Sequence, residues 1–301
     1  MDGARDDHAQ TPIAQHANRR ILAVCRYRGP AAGAFMTGLF TRMGARIDTW
    51  GAAARMARFR TGWPATATPQ VQFHRTAKVQ YRYLEAGRGQ TIVFTCDPPM
   101  TIEVYGPLVE AFGAHFRVIV VELPAMGFSA ATSDYAFGFR ETHDDLASHL
   151  TLLQAGGTEA FAIWKAGRDP RGLLAKPLLG QLAMAHMAPR RMPQWYRLSV
   201  GRKEQIPHFC ACAERSFTRG AMWSLASAYQ IYLDRRDELP RPQQPILSIW
   251  GAADRSHPAG NAHSLARLYD GVRTVTFDDL GHTPELEAPD QVLTAILGFV
   301  R

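Results

Sequence analysis

Five short apolar runs, set between stretches of helical periodicity, constrain this chain more than any other feature. TIVFT (91–95), FRVIVVEL (116–123), EAFAIW (159–164), PILSIWG (245–251) and VRTVTF (272–277) have the length and the Val, Ile and Phe content of strands buried in a sheet interior. Helical patterns fall at about 104–113, 139–154, 260–269 and 288–300. The second carries Leu146, Leu150 and Leu153 on one face and Glu141, Asp144 and Asp145 on the other. Strands alternating with helices imply parallel order and right-handed crossovers. The fold class is therefore α/β, a mostly parallel sheet with helices on both faces. Ahead of it, 70–84 reads as a strand pair, VQFH and VQYRYL, broken around Arg75.

Between 165 and 244 the pattern changes. Helices rich in Leu, Met, Trp and Tyr are expected here, broken by Pro170, Pro177, Pro189, Pro193 and Pro207, and no buried strand stands out. A helical insertion between two sheet strands lies over their C-terminal ends, where open α/β sheets bind ligands, and acts as a cap. Four segments follow: an N-terminal extension (1–69), the first half of the core (70–164), the cap region (165–244) and the rest of the core (245–301).

The net charge of +7 is not spread evenly. Residues 1–65 hold ten arginines, no lysine and four aspartates, whereas the remaining 236 residues balance 24 basic against 23 acidic groups. The basicity thus belongs to the extension. It reads either as an arm attracted to anionic surfaces or as a partly helical segment packing Phe35, Met36, Leu39, Phe40, Met43 and Trp50 onto the body. The second reading is the expectation, with no nucleic acid as partner. No run of about 18 apolar residues occurs, so no integral membrane segment is expected. Cys25, Cys96, Cys210 and Cys212 lack metal-ligand spacing, and reduced cysteines in a cytoplasmic protein fit best.

The chemistry gathers near the C-terminus. Trp250-Gly-Ala-Ala-Asp254 follows one buried run directly, and Gly281-His282-Thr-Pro-Glu-Leu-Glu follows the next. A carboxylate and an imidazole on successive strand-end loops can meet above a sheet, the acid fixing the ring's tautomer and stabilising its protonated form. Asp254 is read as orienting acid and His282 as general base. The order of these residues resembles the α/β-hydrolase superfamily, in particular its capped branch of epoxide hydrolases, haloalkane dehalogenases and related esterases. VIVVELPAMGFSAA (118–131) looks like that family's fourth-strand motif, with Glu122, Pro124, Gly127 and Ser129 in the matching places and Ala125 where a glycine is usual. GHTPELEAPDQVLTAILGFV (281–300) is similar to its closing histidine loop and last helix. The resemblance spans roughly 70–301 and implies an α/β-hydrolase-type sheet and hydrolytic activity.

Two departures stand beside the matches. The family nucleophile sits on a Gly-x-Nuc-x-Gly turn after the strand expected at 159–164. Here the residues are Ile163-Trp164-Lys165-Ala166-Gly167, and lysine does not replace Ser, Asp or Cys in acyl or alkyl transfer. The interval from Lys165 to Asp254 is also too short for an elbow helix, a further strand and a whole cap, since one βαβ crossover takes roughly 30 residues or more. The elbow, its helix and the next strand read as deleted near 163–169. The alternative, that 171–188 is the elbow helix, meets Pro177 in its middle. The loop expected to supply oxyanion donors is Thr95-Cys96-Asp97-Pro98-Pro99, and proline has no N–H.

Asp97 is read as a solvated turn residue, with a displaced acid or a substrate ligand as the alternative. Cys96, Asp97, Trp164, Trp223 and Tyr229 form the candidate substrate pocket, with Trp195, Tyr196 and Tyr232 as further cap aromatics. These aromatics also suit a helical core. His257 is read as a surface residue. No phosphate loop and no metal spacing occurs, so no metal or other cofactor is expected. Two functions follow: a hydrolase of small apolar esters, epoxides or halides, taking a small-molecule substrate through Asp254 and His282; or a catalytically inactive relative that binds a ligand or partner.

Overall fold

The computed structural model describes residues 39–59, 70–135, 137, 152–153, 166–167, 169–217, 220–233, 245–257, 259–267 and 269–300. The chain divides into two units, Met1–Ala34 and Phe35–Arg301, and every described residue lies in the second. The expected strand at 159–164, with Trp164 and Lys165, lies outside the described residues.

The N-terminal strands form a mixed sheet. Strands β1 (Val71–Arg75) and β2 (Val79–Gly87) pair as an antiparallel hairpin, and β2 pairs antiparallel with β4 (Arg117–Val121). Strand β3 (Thr91–Thr95) joins β4 in parallel, giving the order β1-β2-β4-β3, and the short β5 (Ala130–Ala131) pairs with β2. A second sheet is all parallel: β6 (Leu152–Leu153), β7 (Ile246–Gly251) and β8 (Val272–Phe277). Leu152 and Leu153 are therefore strand, not the end of the expected 139–154 helix, whose other residues lie outside the described ones.

β7 is buried at every position, as its unbroken apolar sequence requires. β3 is not. Phe94 packs edge-on against Phe112, ring centroids 5.2 Å apart. Val93, on the opposite face, is 41% exposed, so the strand read as doubly buried has one open face. Among the described residues β3 and β6 are each an edge of their sheet.

Helices α2 (Gly106–Gly113) and α7 (Pro289–Val300) pack together under the strands, placing Leu108, Phe112, Val292 and Ile296 in one core with Val118, Val120, Leu247 and Ile249. The one-turn α6 (Pro284–Glu287) precedes α7. Instead of a helix at 260–269 there are two short 3₁₀ segments, Ala259–Asn261 and Leu265–Arg267.

Three helices occupy 179–233: α3 (Leu179–Ser199), α4 (Ile206–Phe217) and α5 (Ala221–Leu233). Pro177 does stop the 171–188 helix, since α3 begins only at Leu179. Pro189 and Pro193, however, lie inside α3 rather than breaking it. Each removes one backbone hydrogen bond. Tertiary packing outweighs that loss: Tyr196 and Ser199 are fully buried and α3 packs on both α4 and α5.

α1 (Leu39–Phe59) also departs from expectation. It buries Gly44, Ala45, Asp48 and Thr49, while Phe40 and Trp50 are 73% and 69% exposed. Thr49 donates to the carbonyl of Ser133, and Ser227 on α5 donates to Asp48, so polar groups hold this helix. Of the expected apolar face, Leu39, Phe40, Met43 and Trp50 are exposed rather than packed on the body, and Phe35 and Met36 lie outside the described residues. No described helix is long and apolar enough to cross a membrane.

Candidate active site

Asp254 follows β7 by three residues, and His282 follows β8 by five. Their loops are bound to each other before any side chain acts. Ala252 N–H donates to Phe277 O and Ala253 N–H to Leu280 O. Gly251 and Gly281 make this approach sterically feasible, because a Cβ on Gly251 would lie 2.0 Å from Gly281 O. One on Gly281 would lie 2.0 Å from Ser199 O. His282 N–H donates to that same Ser199 carbonyl at 2.7 Å. Buried Glu287 completes the clamp: Oε1 accepts from Gly281 N–H, and Oε2 accepts from the N–H groups of Gly201 and Arg202.

The clamp sets the side-chain geometry. His282 Nδ1 lies 2.9 Å from Asp254 Oδ2, whose side chain is wholly buried. Burial by itself would raise the Asp254 pKa, but side-chain hydrogen bonds with His257, His282 and Ser256 and the charge of His282 outweigh it and hold the carboxyl well below the usual range. Burial would lower the His282 pKa; the bond to Asp254 and the negative charges of Asp97 and Asp254 outweigh it, and the ring is a stronger base than usual. Glu285 is buried beside this cluster, and loss of water pushes its carboxyl up to about 8, so it is protonated at neutral pH.

His257 is not the surface residue expected. Its Nδ1 sits 3.0 Å from Asp254 Oδ2, and its ring stacks on that of His282 with centroids 4.8 Å apart. The Asp-x-x-His spacing was visible, but the tight turn after β7 that brings the ring back was not. The donor atoms of Asp254, His257 and His282 lie within 4.8 Å of one another, a grouping able to hold a metal ion. An ion there would compete for the Asp254 oxygen that orients His282.

Asp97, at the end of the β3 loop, is also drawn in. Its Oδ2 lies 4.0 Å from His282 Nε2, the nitrogen turned away from Asp254. Burial raises its pKa, while His282 and His257 pull the other way. The expectation of a solvated turn residue is corrected to one facing the histidine.

The rest of this loop offers no free donor. Cys96 N–H goes to Val121 O, Asp97 N–H to the Tyr105 hydroxyl and Met100 N–H to Asp97 O, and Pro98 and Pro99 have none. Cys96 is buried and its thiol is pushed well above the ordinary value, which makes it inert as a nucleophile.

Of the aromatics between 165 and 244 expected near the site, Trp195 reaches it, its ring edge-on to His282 at 5.2 Å. Tyr196 is fully buried in the core. Trp223 and Tyr229 lie on α5; burial and nearby Asp169 push the Tyr229 hydroxyl up to about 12. The side chain of Tyr232 lies outside the described residues. A cavity of about 500 Å³ between α3 and α4 is lined by Pro189, Met192, Pro193, Cys210, Glu214 and Phe217, a set without Asp254 or His282.

The motif at 118–131 folds around Glu122. Its buried carboxylate accepts from Arg82 Nη1 at 2.9 Å and from the N–H groups of Ile102 and Phe128. A Cβ on Gly127 would lie 2.5 Å from Glu122 Cδ. Ala125, where the family has glycine, adopts φ of +61°, a left-handed conformation that costs an L-residue about 1–2 kcal/mol.

The strand order β1-β2-β4-β3, the parallel strands after it and a histidine on the last strand's loop define an α/β-hydrolase-fold protein. Solved structures agree. An α/β-hydrolase-fold protein of Nostoc sp. PCC 7120 superposes with TM-score 0.62 at 15% identity, over 77% of this chain and 97% of that one. An esterase of Thermogutta terrifontis gives TM-score 0.53 at 18% identity, over 77% and 97%. In sequence, the chain is 28% identical to the pimeloyl-[acyl-carrier protein] methyl ester esterase of Xanthomonas campestris, over 71% of this chain and 96% of that protein. The Aliivibrio salmonicida enzyme of the same name is 23% identical. No family model matches. The Xanthomonas alignment is 258 positions long, yet 71% of 301 residues is about 214, so about 44 aligned positions are gaps in this chain.

Proposed function

We propose that this chain hydrolyses small, largely apolar carboxylic esters, with His282 as general base toward water, Asp254 as its orienting acid and Asp97 holding the water. The observation that carries this reading is the 2.9 Å contact between His282 Nδ1 and Asp254 Oδ2. It fixes the ring with Nε2 outward and stabilises the imidazolium that forms when Nε2 takes a proton. The 4.0 Å gap from Nε2 to Asp97 Oδ2 is a span across which one water, about 2.8 Å from each atom, reaches both. That water adds to the ester carbonyl, its proton passes to Nε2, and the alcohol leaves with a proton from the imidazolium.

Esters are favoured over epoxides and halides because the relatives in sequence are named as methyl ester esterases. Of the motif Gly-x-Ser-x-Gly only the second glycine, Gly167, stands at 163–167, with Ile163 at the first glycine and Lys165 at the nucleophile. The short interval from Lys165 to Asp254 and the open face of β3 support a deletion of the elbow, its helix and one strand. Helices α3, α4 and α5 then serve as the cap, with Trp195 as the wall against His282.

A second reading, a catalytically inactive relative, is favoured by one observation: the N–H groups of Cys96, Asp97 and Met100 are all spent internally. An anionic intermediate therefore receives no donor from this loop. Hydrolysis of p-nitrophenyl acetate, butyrate and octanoate by wild type and His282→Ala separates the two. Turnover that falls to the buffer rate in the variant supports the hydrolase. Equal rates in both proteins overturn it and leave the inactive relative.

A further inference from the structure

Helix α1 is inside out. Among residues 39–51, whose side chains are described, Gly51, Gly44, Asp48, Thr41, Ala45 and Thr49 fill one half of the circumference at 100° per residue, and these are the residues turned to the body or half-covered by it. The other half carries, in angular order, Arg42, Arg46, Leu39, Trp50, Met43, Ile47 and Phe40, all exposed. Its large apolar side chains occupy a sector of roughly 100° with two arginines along one edge.

The apolar surface continues beyond the helix. Phe40, Met43 and Ile47 share a concavity of about 250 Å³ with Pro177 and Leu178, and Leu179 and Leu182 are exposed on the first turn of α3. Soluble monomers rarely expose a contiguous apolar patch of this kind.

We infer that the exposed face of α1, with the Pro177–Leu182 edge beside it, is a docking surface for an anionic lipid bilayer. Charge selects this occupant. The patch is flanked by Arg42 and Arg46, and residues 1–65 carry ten arginines against four aspartates, while the rest of the chain is nearly neutral. An apolar sector that includes Trp and Phe, with arginines along its edge, is the make-up of a helix that lies in the headgroup region. The rings and aliphatic chains enter the acyl boundary, and the guanidinium groups stay with the phosphates. The face that holds α1 to the body, through Asp48 with Ser227 and Thr49 with Ser133, is not consumed by this docking.

The test is co-sedimentation of the full chain with phosphatidylcholine vesicles and with vesicles containing 30% phosphatidylglycerol, for wild type, Phe40→Asp/Ile47→Asp and Arg42→Glu/Arg46→Glu. These side chains are exposed, and circular dichroism melts check that the variants fold. Wild type is expected to bind the anionic vesicles at least tenfold more tightly than the neutral ones. Each double variant should lose at least tenfold of that affinity. Failure of wild type to sediment, or undiminished binding by both variants, overturns the inference. So does dimerisation without vesicle binding that the Asp variant abolishes, which assigns the patch to a second copy. Capture by an acidic protein with no affinity for vesicles overturns it as well.

Discussion

The loops after β7 and β8 and the loop after β3 meet at the same histidine, yet their backbones are used in opposite ways. On the C-terminal side every backbone contact serves the site: Gly251 and Gly281 allow the two loops to touch, Glu287 ties them to 201–202, and the result aims His282 Nδ1 at Asp254. On the β3 side the N–H groups are spent on the loop's own shape, and a carboxylate, Asp97, stands where donors would serve an ester oxygen. A proton can be taken here more readily than negative charge can be stabilised.

Breaking the first side should have the largest effect. Asp254→Asn leaves an amide that cannot stabilise the imidazolium and favours the wrong tautomer. Turnover of p-nitrophenyl butyrate is expected to fall about 10³–10⁴-fold, read from kcat/KM at neutral pH. Gly281→Ala should be nearly as severe through stability. Its Cβ would meet backbone atoms of Ser199 and Gly201, which cannot turn away, and a loss of about 3 kcal/mol or more is expected in urea unfolding.

Asp97→Asn sharpens the comparison from the other side. Asp97 helps raise the His282 pKa, so removing its charge lowers that pKa, and the neutral, basic ring then persists to lower pH. The acidic limb of the kcat/KM profile should move to lower pH, with kcat reduced roughly 10- to 100-fold by loss of the water's second partner. An unmoved profile would make Asp97 purely structural. The smallest effect belongs to the neighbouring β4 loop. Ala125→Gly relieves the left-handed strain at φ +61° and should raise unfolding stability by about 0.5–1 kcal/mol, with turnover unchanged.

Local sequence carried much of this. Unbroken apolar runs are strands because a doubly buried strand has no polar face to show, and β4 and β7 lie where such runs occur; β8, with Arg273 and Thr276 exposed, is a strand with an open face. A strand, a tight Gly-containing turn and then Asp or His put Asp254 and His282 on neighbouring loops of a parallel pair, and their meeting follows from order alone. Other features depended on neighbours distant in sequence. Pro189 and Pro193 look like breaks because the backbone penalty is local, whereas the packing that outweighs it comes from α4 and α5. Phe40, Met43 and Trp50 look like a core-facing stripe because periodicity shows that a helix is amphipathic but not which face the body accepts. Asp48 and Thr49, bonded to Ser227 and Ser133, turned that face outward. His257 and Asp97 joined His282 through a turn and a loop whose course is set by contacts across the fold. By itself the sequence determined the fold class, the runs that form β3, β4, β7 and β8, and the acid–histidine order, since these follow from patterns a few residues long. The tertiary structure alone decided which side chains surround the histidine and which face of α1 meets solvent, because those depend on distances between residues far apart in the chain.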